Sequence, residues 1–271
     1  MTSFQDKLVV ITGAASGIGR ETSKLLASRG ALLSLSDISE DGLRTLKAEI
    51  EEIPGIANTA PFTSVVDVRS QDACRDWITA TVAHFGGRPI DGAANLAGVV
   101  TLPKAGATDS RDASDAEIDF IFDINVKGII NSLRAELPHM REGSPGVNGS
   151  AIVNAGSLSG LMGLGGYMPY VASKHAVIGI TRTVAKEEGL RGIRVNAIAP
   201  GLIDTPMLHA VAESIGVKAG ADMYGRGPTA ALGRLGTSLE VAETIAFLLS
   251  PGSGFITGAP ITIDGGMSCA G

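Results

Sequence analysis

Residues 7–12, Lys-Leu-Val-Val-Ile-Thr, form a short β-branched run of the kind that makes a buried strand. Similar runs recur at 31–36, 62–66, 90–95, 151–155, 193–198 and 261–266. Between them, residues 20–27, 39–52, 71–85, 117–139, the stretch opening at Tyr170 and 238–249 read as helices. Strands alternating with helices predict an α/β fold, a doubly wound seven-stranded parallel sheet with helices on both faces. Trp77, the only tryptophan, falls inside the amphipathic 71–85 stretch and is assigned to the core.

The junction after the first strand carries chemistry. Gly13-Ala-Ala-Ser-Gly17-Ile-Gly19 separates the strand from the helix that begins near Arg20. A glycine-rich turn there lets backbone N–H groups and a helix N-terminus approach a pyrophosphate. The spacing is Gly-x-x-x-Gly-x-Gly, so the commoner Gly-x-Gly-x-x-Gly fingerprint is only partly met. The second strand ends on Asp37, about twenty positions on, where a carboxylate can bond both adenosine ribose hydroxyls and repel a 2′-phosphate. Its neighbours Ser34, Ser36 and Ile38 provide no cation for such a phosphate, which points to NAD over NADP. The competing role for Asp37 is a helix N-cap, which Ser39 could fill instead.

A second centre lies in Ser157 to Lys174. Tyr170 and Lys174 are four apart at the opening of a helix, so one turn places phenol and ammonium on one face. A nearby cation favours phenolate, so Lys174 is expected to lower the Tyr170 pKa from about 10. Such a tyrosine can exchange a proton with an alcohol or carbonyl oxygen. Ser157, just past the 151–155 strand, can hold the same oxygen. A Tyr/Lys pair alone is weak; the glycine turn gives it weight.

Composition narrows the classes. The 271 residues, 44% hydrophobic, can bury a large core, and one domain over 1–271 is expected. No apolar run approaches the roughly eighteen residues of a membrane span, and the first residues lack a secretion signal. Two cysteines make no disulfide framework, and no Cys/His cluster has metal-ligand spacing, so no metal and a cytoplasmic setting are expected. A net charge of −6 without a basic block argues against nucleic acid.

Thr12-Gly13-x-x-x-Gly17-x-Gly19, Asn95-x-Ala97-Gly98, Ser157 and Tyr170-x-x-x-Lys174 occur together and in order. This set resembles the short-chain dehydrogenase/reductase family, over nearly the whole chain from Lys7 to about Gly266. The resemblance implies a Rossmann fold and a catalytic set of Asn125, Ser157, Tyr170 and Lys174, with Asn125 anchoring a water that links Lys174 to solvent. It also implies a dinucleotide held by Thr12, Gly13, Ser16, Gly17, Ile18 and Gly19, with Asp37 at the ribose. Asp67 and Val68 would flank adenine, and Asn95, Ala97 and Gly98 would pass beside the cofactor. Tyr170 and Lys174 would meet its nicotinamide half. Pro200, Gly201, the Ile203 backbone and Thr205 would contact the nicotinamide end. Leu96 departs from the usual Asn-Asn-Ala-Gly and puts one sheet-stabilising bond in doubt.

The remaining segments concern substrate. Tyr167 has Val171, not lysine, one turn on, and is assigned to the pocket with Leu161, Met162, Leu164 and Met168. Residues 206–232, including Met207, suit a lid over an apolar ligand, with an oligomer contact as the competing reading. Loop 99–116 rims the cleft or decorates the surface, and 141–149 is a second insertion-like loop before the fifth strand. The expectation is hydride transfer between NAD and an apolar secondary alcohol or ketone (terpenoid, steroid or polyketide-like) by a homo-oligomer, tetramer or dimer. Two alternatives stay open: an NADPH-dependent 3-ketoacyl-carrier-protein reductase, and a non-catalytic NAD-binding or redox-sensing protein.

Overall fold

The computed structural model describes residues 3–53, 60–102, 110–144, 147, 149–219 and 230–269. Parts of three predicted loops therefore lie outside the described residues: 103–109, Pro145, Gly146 and Asn148, and 220–229 with Met223 and Tyr224.

Seven strands form one parallel sheet: β1 (Leu8–Thr12), β2 (Leu32–Asp37), β3 (Phe62–Val65), β4 (Gly92–Asn95), β5 (Ala151–Ala155), β6 (Arg194–Pro200) and, after a separate short pair, β9 (Pro260–Ile263). That pair, β7 (Ile203–Asp204) and β8 (Gly236–Thr237), is too short for any sequence periodicity to reveal. The sheet order is β3-β2-β1-β4-β5-β6-β9, so strand order reverses between β1 and β4. Ligands of open parallel sheets bind at the carboxyl ends of the strands at such a reversal.

Every residue of β1 is buried, and alternate side chains enter opposite cores. Val9 and Ile11 pack with Leu26 of α1 (Gly17–Ser28), Leu46 of α2 (Glu40–Glu51) and Ile245 of α8 (Ser238–Leu249). Leu8 and Val10 pack with Trp77 and Ile78 of α3 (Gln71–His84), Leu133 of α5 (Gly128–Glu136) and Val177 of α6 (Met168–Glu188). The remaining helices are α4 (Asp115–Phe122) and α7 (Pro206–Ser214). Gly128 permits close packing, since a Cβ there would stand 2.7 Å from a Val68 methyl.

One prediction needs correction. The apolar periodicity of 117–139 predicts a single regular helix. The chain instead enters α4 at Asp115, widens into a π-turn over Asp123–Lys127, continues as α5 and tightens into a 3₁₀ turn at Leu137–His139. Apolar residues are dense enough along this stretch (Ile121, Phe122, Ile124, Val126, Ile129, Ile130) to hide the shift of face that one extra residue makes, so periodicity does not register it. Asn125 sits in that π-turn.

Trp77 is 2% exposed, and its Nε1 donates to Ser34 Oγ at 2.9 Å, as befits a core residue. Replacing it with Ala should lower stability by about 3–5 kcal/mol, read as a drop in unfolding midpoint; an unchanged midpoint would contradict this packing.

Candidate active site

The glycine turn is built without room for side chains. Gly13 has φ +66°, and a Cβ on it would lie 2.7 Å from the Ala97 nitrogen. A Cβ on Gly19 would lie 2.0 Å from the Gly13 oxygen. Thr12 Oγ1 accepts from the Leu96 and Ala97 amides (3.1 and 3.3 Å), tying the end of β1 to the end of β4. Helices α2, α3, α4, α7 and α8 each begin under a Ser or Thr side chain that accepts a backbone N–H. Ser16 makes no such cap for α1, whose first turn also lacks an acidic residue. That N-terminus faces a cleft lined by Gly13, Ser16, Gly17, Ile18 and Gly19. An uncapped helix start against a glycine cradle fits a dinucleotide pyrophosphate.

The same cleft runs past Asp37, Ile38, Asp67, Val68 and Arg69. Asp37 Oδ2 accepts from the Ala15 amide and Oδ1 from the Ser39 amide, both at 3.0 Å. Ser39 is the N-cap of α2, with its Oγ accepting from Gly42 N–H, so Asp37 is not the cap. Arg69 Nε donates to both oxygens of Asp67 (3.0 and 2.9 Å), and Nη2 reaches Oδ2 at 2.5 Å. This bonding holds the Asp67 carboxyl below its ordinary pKa.

A second hollow adjoins the first, sharing Ile18, Leu96, Gly98, Val99, Thr205 and Met207. Ser157, Tyr170 and Lys174 all line it. Ser157 follows β5, and its Oγ accepts from Ser159 N–H at 3.1 Å, which orients the hydroxyl over a 3₁₀ turn. Tyr170 and Lys174 lie on the first turns of α6, with the ammonium 5.6 Å from the Tyr170 ring centroid. Lys174 is 4% exposed, and Nζ donates to the Ala155 carbonyl at 2.8 Å. Burial pulls its pKa down to about 8, which leaves it mainly protonated at neutral pH.

Asn125 is fully buried beside this group. Its Oδ1 accepts from Val99 N–H at 2.8 Å, and its Nδ2 donates to the Val99 carbonyl at 2.9 Å and to Ser173 Oγ at 3.1 Å. A Cβ on Gly98 would fall 3.3 Å from Asn125 Oδ1 and 3.4 Å from Lys174 Nζ, so both polar groups flank this glycine.

The apolar wall comprises Leu96, Val99, Val100, Leu164, Leu202, Met207, Leu208 and Val211, with Tyr167 beside them. Pro200, Gly201, Ile203 and Thr205 line it where the sequence places them, and Thr205 Oγ1 also caps α7 by accepting from Leu208 N–H. Ala97 and Gly98 line the dinucleotide cleft. Thr12 and Asn95, both 1% exposed, lie beneath that floor, so their side chains do not face it. Leu161, Met162 and Met168 are exposed (40%, 43% and 38%) and are not part of the wall, which corrects their assignment to the pocket. Leu161 and Met162 flank glycines in a segment without periodicity, and Met168 opens α6, so no pattern there tells an inward side chain from an outward one.

Sequence reasoning missed Arg69, Phe120 and Ile124 in the first cleft and Val99, Val100 and Leu202 in the second, whereas Leu208 and Val211, counted with Met207 among the apolar residues of 206–232, do line it. The loop residues offered only their proximity to Gly98 and Gly201. Among the described residues, no group of three His, Cys, Asp or Glu could hold a metal, and no helix is long and apolar enough to cross a membrane.

Comparisons with known proteins agree with this geometry. The family model described as enoyl-(acyl carrier protein) reductase matches residues 13–268. Short-chain dehydrogenase/reductase aba4 of Botryotinia fuckeliana is 46% identical over 268 residues, 98% of either chain. Levodione reductase of Leifsonia aquatica is 39% identical over 273 residues, 99% of this chain and 97% of its own. A crystal structure of levodione reductase superimposes with a TM-score of 0.87 at 37% identity, covering 99% of this chain and 100% of that one. A glycine cradle at the sheet's reversal point, a Ser/Tyr/Lys cluster beside it and relatives that match end to end lead to one family: this chain is a short-chain dehydrogenase/reductase, an NAD(P)-dependent oxidoreductase acting on CH–OH groups.

Proposed function

We propose that the protein uses NAD and interconverts a predominantly apolar secondary alcohol, terpenoid, steroid or polyketide-like, with its ketone. The observation that carries this reading is the convergence of Ser157, Tyr170 and Lys174 on a hollow whose other walls are almost wholly apolar. Such a lining gives an apolar ligand burial and reserves polar contact for the reacting oxygen.

The bound dinucleotide supplies or accepts the hydride. In oxidation, Tyr170 as phenolate takes the proton from the alcohol oxygen; in reduction it donates that proton to the forming alkoxide. Ser157 holds the oxygen as charge develops on it. The Lys174 cation, confined by the Ala155 carbonyl, favours phenolate on the adjacent turn and would also hold the nicotinamide ribose of a bound cofactor. Asn125, opposite Lys174 across Gly98, supports a water relay for the proton. Helix α7 forms the described part of a lid, contributing Met207, Leu208 and Val211.

Support for NAD over NADP comes from Asp37, fixed by two backbone amides at the end of β2. A 2′-phosphate would meet that carboxylate, and Arg69, the cation lining this cleft, is engaged by Asp67. Assembly into a homo-oligomer is supported by Phe247 and Phe255, 44% and 105% exposed, on and after α8.

Tyr170→Phe should reduce turnover by about 10²–10⁴-fold with cofactor affinity retained. Near-normal turnover would remove Tyr170 from its role. Fluorescence titration should show tighter binding of NADH than of NADPH, and Asp37→Ala should relax that preference. Preference for NADPH in the unaltered protein would instead favour the ketoacyl-reductase reading. Sedimentation should give a mass above the 27.6 kDa of one chain, and a monomer would refute the assembly.

A further inference from the structure

Glu136, on the last turn of α5, has no exposed surface and faces the ends of β4 and β5. Its Oε2 accepts from Asn95 Nδ2 at 3.2 Å. The other Nδ2 hydrogen of Asn95 goes to Asn154 Oδ1 at 3.1 Å, and Asn154 Nδ2 donates to Thr181 Oγ1 of α6 at 3.0 Å. Both donors of the Asn95 amide are thereby accounted for. Two buried oxygens in this cluster have no hydrogen-bond partner, and they belong to the same two residues: Asn95 Oδ1 and Glu136 Oε1.

An ionised Glu136 would leave both oxygens as acceptors without a donor, and its charge buried with one amide for company. A single proton resolves both. We propose that Glu136 is held as the neutral carboxylic acid and closes a two-point pair with the Asn95 amide. In this pair Asn95 Nδ2 donates to Glu136 Oε2, and Glu136 Oε1–H donates to Asn95 Oδ1. The proton is taken from solvent as the chain folds.

The surroundings agree. No cation among the described residues acts on Glu136; burial pushes its pKa up to about 7, and the Asn95 bond draws it back only in part. Cys74 of α3 is the titratable group facing it, and burial first of all raises that thiol to about 11, so it is uncharged. The side chains of the hydrogen-bonded row that leads away from the carboxyl, Asn95, Asn154 and Thr181, do not titrate in this range.

The pair gives Glu136 a positioning role. Asn95 stands between Thr12 and Asn154 in the sheet register, and the next two residues donate to Thr12 Oγ1. Leu96, Ala97 and Gly98 then form the cofactor floor. Fixing the Asn95 amide from below therefore fixes the path of that floor, although Glu136 touches neither cofactor nor substrate.

Infrared spectra and pH-resolved unfolding of the wild type, Glu136→Gln and Glu136→Ala test the proposal. Glutamine offers an N–H toward Asn95 Oδ1 and an oxygen toward Nδ2, so it keeps the two-point pair without a titrating proton. The wild type at pH 6 should show a protonated-carboxyl C=O band that Glu136→Gln lacks. Because the folded-state pKa lies above the ordinary value of 4.5, folding takes up a proton between about 4.5 and 7. Wild-type stability should therefore fall relative to Glu136→Gln as pH rises through that window, and run parallel to it above. NADH affinity should stay within about twofold in Glu136→Gln and weaken by about tenfold in Glu136→Ala, which leaves the Asn95 amide unpaired. Absence of the acid band, or parallel stability profiles throughout, would show an ionised carboxylate and overturn the pairing. Wild-type NADH affinity in Glu136→Ala would overturn the positioning role.

Discussion

A buried ammonium organises this site. Lys174 lies on a helix packed against the sheet, and its charge must be satisfied where little water reaches. The Ala155 carbonyl at the end of β5 takes one N–H, which sets the position of Nζ relative to the strand. Gly98 keeps the opposite side open, because any Cβ there would crowd both Nζ and Asn125 Oδ1. Asn125 in turn is held by both backbone groups of Val99, so the loop leaving β4 and the π-turn are locked together. The widened turn, the glycine after the strand and the exposed strand-end carbonyl thus serve one requirement: a stable cation one helical turn from Tyr170.

The sheet supplies the second constraint. Because strand order reverses between β1 and β4, their carboxyl ends diverge into opposite crossovers and leave a crevice. Thr12 bridges that crevice from below through two backbone amides, while the glycine turn closes against Ala97 from above. The dinucleotide cleft and the apolar hollow are therefore two ends of one groove, joined at Leu96 and Gly98.

Much of this was legible in the sequence, and the reason differs by element. Strand runs such as Val9-Val10-Ile11 are readable because a parallel strand is apolar on both faces. The Gly13/Gly17/Gly19 spacing is readable because backbone approach excludes a side chain at Gly13 and Gly19 and the chain takes a positive φ at Gly17. Asp37 and Ser39 illustrate a harder case: both can cap a helix, and only the observed bond from Gly42 N–H to Ser39 Oγ separates the roles. The π-turn left no trace in the apolar pattern. Pocket residues on the 158–168 segment were opaque for a related reason, since a glycine-rich loop has no period to orient its side chains. Leu164 turned inward while Leu161 and Met162 turned out.

The unusual Leu96 shows how one change propagates through such an arrangement. Its side chain packs with the cluster that contains Val9 and Ile11 and offers no hydrogen bond to the sheet. The polar tie at this level falls instead to the row Thr12, Asn95 and Asn154, continued into α5 by Glu136 and into α6 by Thr181. Buried polar groups of this kind stabilise little on balance but select one arrangement, because each misalignment leaves a group unpaired. Here the selected arrangement joins two strand ends to the helix that follows the π-turn of Asn125 and to the helix bearing Tyr170 and Lys174. The apolar core holds the sheet and helices together; the polar row sets their relative register to the accuracy that proton and hydride transfer require.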